Sequence, residues 1–174
     1  QSSGGIAGSA KLDQAGNAIS VLGPITVSAG NLSITDAVAL TIAGPVNIVA
    51  GTLTITDSAA SAGAIAVTGN VTTNGTMALI VSNTAAGIAL SGTAKAATLD
   101  LTAGSGGIAQ TAGSITAGML QSTGGSIGNV ALDWSWFGRD PWAIEQSNRV
   151  LRFLAAQGSN LPDNYITPQS QGGL

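Results

Sequence analysis

The chain has 174 residues, of which 44% are hydrophobic, 7% charged and 3% aromatic, with a net charge of −3 and neither Cys nor His. A typical soluble domain carries about 25% charged residues, so this chain has few groups for acid–base chemistry, for ion pairing or for filling a wide core. Missing Cys and His exclude thiolate and imidazole catalysis and thiolate–zinc sites, and five basic residues, only Lys11 and Lys95 of them before residue 133, are too few for a nucleic-acid surface.

Gln1–Ser9 has neither a basic start nor an apolar run, so no signal peptide is read there, and the chain is expected to be a mature product or a piece of a longer one. Beyond it, Gly, Thr, Ser and Asn interrupt every apolar run before 18 residues, which excludes a membrane-spanning helix. The aromatic girdles of a membrane barrel are missing as well.

From about residue 19 the sequence repeats. Gly23–Gly30 reads GPITVSAG and Gly44–Gly51 reads GPVNIVAG; Gly30–Asp36 reads GNLSITD and Gly51–Asp57 reads GTLTITD. Both motifs return after 21 positions, and a fixed period of this length marks a solenoid. A second apolar-x-apolar element appears at Ile19–Val21, Leu40–Ile42, Ile65–Val67, Ile88–Leu90 and, degenerately, from Ile108. In the third coil, Met77–Leu79 and Leu79–Val81 both match Leu53–Ile55; the second register is preferred because it also puts Asn83 in line with Asp36 and Asp57.

Within each element the alternation has period two, so Leu32, Ile34, Leu53 and Ile55 are expected to point inward and Ser33, Thr35, Thr54 and Thr56 outward. Gly23-Pro24 and Gly44-Pro45 mark corners. Three short strands and three corners per 21–25 residues describe one coil of a parallel β-helix. The predicted fold is therefore all-β, about six coils over residues 1–132, wound right-handed by the handedness of parallel crossovers. An antiparallel sandwich is the competing fold, but Asn74-Gly75 is the lone hairpin-type dipeptide.

Near Asp133 the pattern stops. All six aromatics follow (Trp134, Trp136, Phe137, Trp142, Phe153 and Tyr165), as do Arg139, Arg149 and Arg152. Asp140-Pro141 is a helix start and Gly158 a stop. Between them Ala143, Ile144, Ser147, Val150, Leu151 and Leu154 share a face, and Glu145 and Arg149 stand at i, i+4. Residues 133–174 are thus expected to form a short helical tail. Its Trp134, Trp136, Phe137, Trp142 and Phe153 would cap the last coil or dock a partner.

The strings NAISVLGPITVSAGNLSITDAVALTIAGPVNIVAGTLTITD and GGIAQTAGSITAGMLQSTGGSIGNVAL resemble the repeats of filamentous-haemagglutinin-like bacterial exoproteins, which include two-partner-secretion and autotransporter passengers. The resemblance covers roughly residues 4–132. It implies a right-handed β-helix, secreted or held on the bacterial cell surface, that works as an adhesin, a matrix component or a stalk. The Trp-rich tail matches nothing in that family, and neither a secretion domain nor a translocator barrel is found.

The expectation is accordingly a secreted structural or adhesive protein, not an enzyme, with no cofactor and no metal. Its partners would be copies of itself stacked head-to-tail into a filament, or a longer solenoid, through an uncapped first coil, and cell-surface or glycan ligands. The alternative is a polysaccharide lyase or hydrolase using stacked Asp36 and Asp57, which could also hold Ca²⁺. Against it, Asp and Asn at corners commonly bind the turning backbone. Asp100 is expected to face solvent. The Thr52, Thr54 and Thr56 array is similar to ice-binding faces but confined to one coil, and Gly104–Gly107 lacks the Lys and helix of a phosphate cradle.

Overall fold

The computed structural model describes residues 5–61, 63–125 and 128–132. Within them the chain is all-β, with no helix. After β1 (Ala10–Leu12), each turn first lays down one short strand on one face: β2 (Val21–Leu22), β5 (Leu40–Ile42), β8 (Ile65–Val67), β11 (Gly87–Leu90), β13 (Gly107–Gln110) and β15 (Val130–Ala131). These six strands form one parallel sheet in sequence-ascending order.

The other two faces are built by β3 (Ile25–Val27), β6 (Val46–Ile48) and β9 (Asn70–Thr73), and by β4 (Leu32–Asp36), β7 (Leu53–Asp57) and β10 (Thr76–Val81). In the next two turns the corner between these faces is absorbed into single long strands, β12 (Thr93–Thr102) and β14 (Ser114–Gln121). One half of β12 pairs with β9 and the other with β10. Every pairing between named strands is parallel, as a chain climbing one layer per turn requires.

Strands β2–β4, β5–β7, β8–β10, β11–β12 and β13–β14 make five turns. The expectation was about six: β1 and the Ile6–Val27 bridge at one end, and β15 at the other, add partial layers to the five full turns among the described residues. At the ~4.8 Å spacing of neighbouring strands the five turns rise roughly 24 Å.

Alternation produces the core directly. β4 and β7 each bury their first, third and fifth side chains, and register carries each inward position to the next layer. Leu32 lies beside Leu53, Leu53 beside Met77 and Met77 beside Leu99; Ile34, Ile55, Leu79 and Leu101 make the adjoining column. Leu40, Ile65, Ile88 and Ile108 line the facing sheet. All belong to one continuous apolar interior. An inward Thr73 is tolerated because its hydroxyl donates to the Gly51 carbonyl at 2.9 Å and accepts from the Gly75 amide at 3.1 Å.

Two register expectations are corrected. The third coil aligns Met77, not Leu79, with Leu53. Val81 therefore takes the place over Asp57, and Asn83 passes into the following corner. A shift of two residues leaves every side chain on its face; what the observed register does is set Met77, Leu79 and Val81 against Leu53, Ile55 and Asp57, so that all three inward places of the layer are apolar. In the first coil the inward residue is Leu22 beside Ile42, while Val21 is 60% exposed and Ile19 only packs against the core rim.

Corners work by close approach of stacked backbones. Gly51, at φ +141, lies against the carbonyl of Gly30 in the layer below, and Gly75 lies against Gly51 in the same way. A Cβ at either position would overlap that carbonyl, so Gly is required for the layers to close to strand spacing.

Removing an inward methyl group set should be costly wherever a column runs through it. Ile55→Ala is expected to lose about 2–5 kcal/mol, lowering Tm by about 2–4 °C per kcal/mol. Val21→Ala, on an exposed position, should stay within about 0.5 kcal/mol. Denaturant unfolding of the two variants checks this, and equal losses would contradict the column arrangement.

Candidate functional site

The residues singled out as a cap or docking surface, Trp134, Trp136, Phe137, Trp142 and Phe153, lie outside the described residues, as does the expected helix. The other candidates are within them. Asp36 and Asp57 end β4 and β7 and are direct register partners. Both occupy the fifth, inward position of a strand whose first and third inward positions are aliphatic, and both are fully buried.

Each carboxylate turns one oxygen to the backbone. Asp36 Oδ1 accepts the Ile19 amide at 2.9 Å, tying down the segment that leads into β2. Asp57 Oδ1 accepts the amide of Ala59, two residues on, at 2.6 Å. Asn83 makes the same local contact, its Oδ1 accepting from the Ala85 amide at 2.9 Å, although it is not stacked on Asp57. The local corner contact expected of Asp and Asn is thus observed at Asp57 and Asn83, whereas Asp36 reaches an amide 17 residues earlier.

The second oxygen of each carboxylate is different. Asp36 Oδ2 and Asp57 Oδ2 are buried without a hydrogen-bond partner. Burial raises the Asp57 carboxyl above its ordinary value of 3.8, and the Asp36 charge beside it adds to the rise; amides of Ala59 and Leu40 oppose it. A cation is a poor occupant for these two oxygens. Ca²⁺ takes six to eight oxygen ligands, and no group of three or more acidic, His or Cys side chains converges among the described residues.

Asp100 corrects another expectation. It is 6% exposed, not solvent-facing. Gln121, its register partner in the layer above, donates from Nε2 at 2.9 Å, and Thr123 donates from its amide at 3.0 Å and its hydroxyl at 2.8 Å. The sequence carried the signal: Gln121 follows Asp100 at the same 21-residue offset as the strong repeats.

The Thr array does not extend along the rod. Thr54 stands between Ser33 and Ala78, and Thr56 between Thr35 and Ile80. Gly104, Gly106 and Gly107 pack against backbone of neighbouring layers at residues 83–87 and 129, which gives these glycines a packing reason. Among the described residues no helix is long and apolar enough to cross a membrane.

No family model matches the chain, and no solved structure matches it. A 27-residue segment is 59% identical to part of the reducing-end xylose-releasing exo-oligoxylanase Rex8A of Paenibacillus barcinonensis. That segment is 16% of this chain and covers 7% of the oligoxylanase. Too little of either chain is matched to define a family.

The pH dependence of Asp57 has a definite sign. A raised carboxyl means the folded state binds its proton more tightly than the unfolded state. This contribution to stability is fully present below 3.8 and is lost as pH rises from there through the raised folded value. Asp57→Asn keeps an oxygen for the Ala59 amide and carries no charge, so its Tm at neutral pH should equal or exceed that of the parent, with a flatter pH profile. Asp57→Ala strands that amide and should cost about 1–3 kcal/mol. Thermal unfolding across acid to neutral pH reads both.

Proposed function

We propose that the chain is a structural or adhesive rod, exported to the bacterial surface or beyond it, in the manner of the exoprotein passengers its repeats resemble. The observation that carries this reading is the unbroken run of five parallel turns whose outward columns are nearly free of charge. Thr26, Asn47, Thr72, Lys95 and Thr116 form one such column, and Thr41, Ala66, Ala89, Ala109 and Ala131 another. Flat ranks of small polar and apolar side chains offer weak contacts repeated along an axis, which suits adhesion by many contacts better than turnover at one site.

At the N-terminal end, β2 and β3 pair on only one side along most of their length among the described residues. Val21 of β2 is exposed, as is Leu12 of β1, which lies on β4. An edge of this kind accepts a further layer, supplied either by another solenoid segment or by a second copy of this chain.

A second reading is action on polysaccharide, favoured by the short match to a protein named as an oligoxylanase. The stacked Asp36 and Asp57 do not support it, because both are sealed from solvent and bonded to backbone, whereas glycosidase carboxylates must flank the scissile bond.

The test is to incubate the full chain with a panel of polysaccharides, xylan and xylo-oligosaccharides included. The rod reading expects at most retention on the polymer and no new reducing ends. Turnover abolished by Asp36→Asn with Asp57→Asn would establish the enzyme reading instead.

A further inference from the structure

Asn74-Gly75, the lone hairpin-type dipeptide, turns no hairpin. It makes the corner between β9 and β10, stacked on the corner of the layer below. Asn followed by Gly is also open to spontaneous chemistry, because no side chain on the second residue hinders attack by its backbone nitrogen. Every other Asn of the rod, at 17, 31, 47, 70, 83 and 129, precedes a residue with a side chain.

The corner holds each group that this chemistry needs. The Gly75 amide donates to Thr73 Oγ1 at 3.1 Å. That hydroxyl is itself fixed, since Thr73 is 2% exposed and donates to the Gly51 carbonyl at 2.9 Å. The Asn74 side chain reaches down to the layer below, not along the chain, and its Nδ2 donates to the Val49 carbonyl at 2.8 Å. From the layer above, the amides of Ala97 and Thr98 donate to the Gly75 carbonyl at 3.0 and 3.4 Å. Gly75 is thus pinned from both sides and pressed against the Gly51 carbonyl. Asn74 itself is exposed, so water is at hand and only these bonds hold the reacting groups apart.

We infer that Asn74-Gly75 is a modification site, closed in the folded rod by the Thr73 hydroxyl and open once the corner unfolds. In the open chain the Gly75 nitrogen attacks Asn74 Cγ. The new N–Cγ bond forms as the Cγ–Nδ2 bond breaks, and the Gly75 amide proton leaves with the side-chain nitrogen as ammonia. Water then opens the cyclic imide at either carbonyl, giving aspartate or isoaspartate with no change of oxidation state.

Neither product rebuilds the corner. Aspartate lacks the Nδ2 donor and turns a charge toward the Val49 carbonyl. Isoaspartate carries the main chain through its side-chain carbon, which lengthens the backbone between strands already fixed in register. Thr73 is set against Ile48, and Met77 against Leu53 on one side and Leu99 on the other. An opening of this corner is therefore recorded covalently, and the working life of the rod is governed by how often it opens.

The test incubates the full chain in mildly alkaline buffer, folded or held unfolded in urea, and follows Asn74 by peptide mass spectrometry. Conversion in the folded chain is expected to be slower by about tenfold or more, because it must pass through opening of the corner. Folded Thr73→Val should lose most of that protection, and Thr73→Ser, which keeps the hydroxyl, should retain it. Equal rates in the folded and unfolded parent overturn the proposal, as does folded Thr73→Val converting no faster than the parent. The parent alone supplies a second reading should Thr73→Val fail to fold. Urea below the unfolding transition should speed Asn74 conversion in step with hydrogen exchange of the Gly75 amide. Conversion that stays constant while that exchange rises also overturns it.

Discussion

Parallel register between successive layers is the constraint on which the rest of the molecule depends. Each residue of β7 faces its counterpart in β4 on one side and in β10 on the other. An inward aliphatic is therefore buried by its equivalents above and below as much as by the facing sheet. This explains how repeats without a single aromatic make a continuous apolar interior. The core is narrow, and Leu, Ile, Val and Met suffice to fill it layer by layer. It also explains the glycines at 51 and 75, since layers can approach to strand spacing only where stacked corners lack a Cβ.

The same constraint shapes the polar chemistry. A solenoid corner interrupts the ladder and leaves amides to be satisfied, and Asp36, Asp57 and Asn83 each accept one. Placing an acid at an inward position carries a penalty, visible as unpartnered second oxygens on a stacked pair and as the upward displacement of the Asp57 carboxyl. Neither oxygen of Asp100 is left without a partner, because the layer above brings Gln121 and Thr123 to both. Of the three carboxylates buried in the rod, Asp36 and Asp57 hold amides of their own turn and Asp100 ties its layer to the next.

Fold class was legible in the residues because the two best-kept copies, GPITVSAGNLSITD and GPVNIVAGTLTITD, lie in register over their whole length. Legibility failed where corner lengths change. The segment between Asp57 and Ile65 is longer than its counterpart between Asp36 and Leu40, and the spacing from Val71 to Met77 is one residue shorter than that from Val46 to Leu53. A one-strand motif can then be matched at either of two positions two residues apart, because such a shift keeps the same side chains inward. Alternation does not separate them, and only the observed pairing of Met77 with Leu53 does. Asp36 and Asp57 were recognisable as a stacked pair, and the local contact of Asp57 followed from residue type. Their complete burial was not read, although the alternation that turns Leu32 and Ile34 inward turns Asp36 inward too, and Leu53 and Ile55 do the same for Asp57. Asp100 was missed for a different reason: its cover comes from the next layer, so a residue that looks outward on its own strand is enclosed by residues 21 to 23 positions later.

Methyl–methyl nuclear Overhauser contacts test the layered register most directly. The account predicts strong contacts between Leu32 and Leu53 and between Leu53 and Met77, with none between Leu32 and Met77, which stand two layers and roughly 10 Å apart. Absence of the Leu32–Leu53 contact, or a direct Leu53–Val81 contact of equal strength to Leu53–Met77, would contradict the stacking on which fold, corners and buried carboxylates all rest.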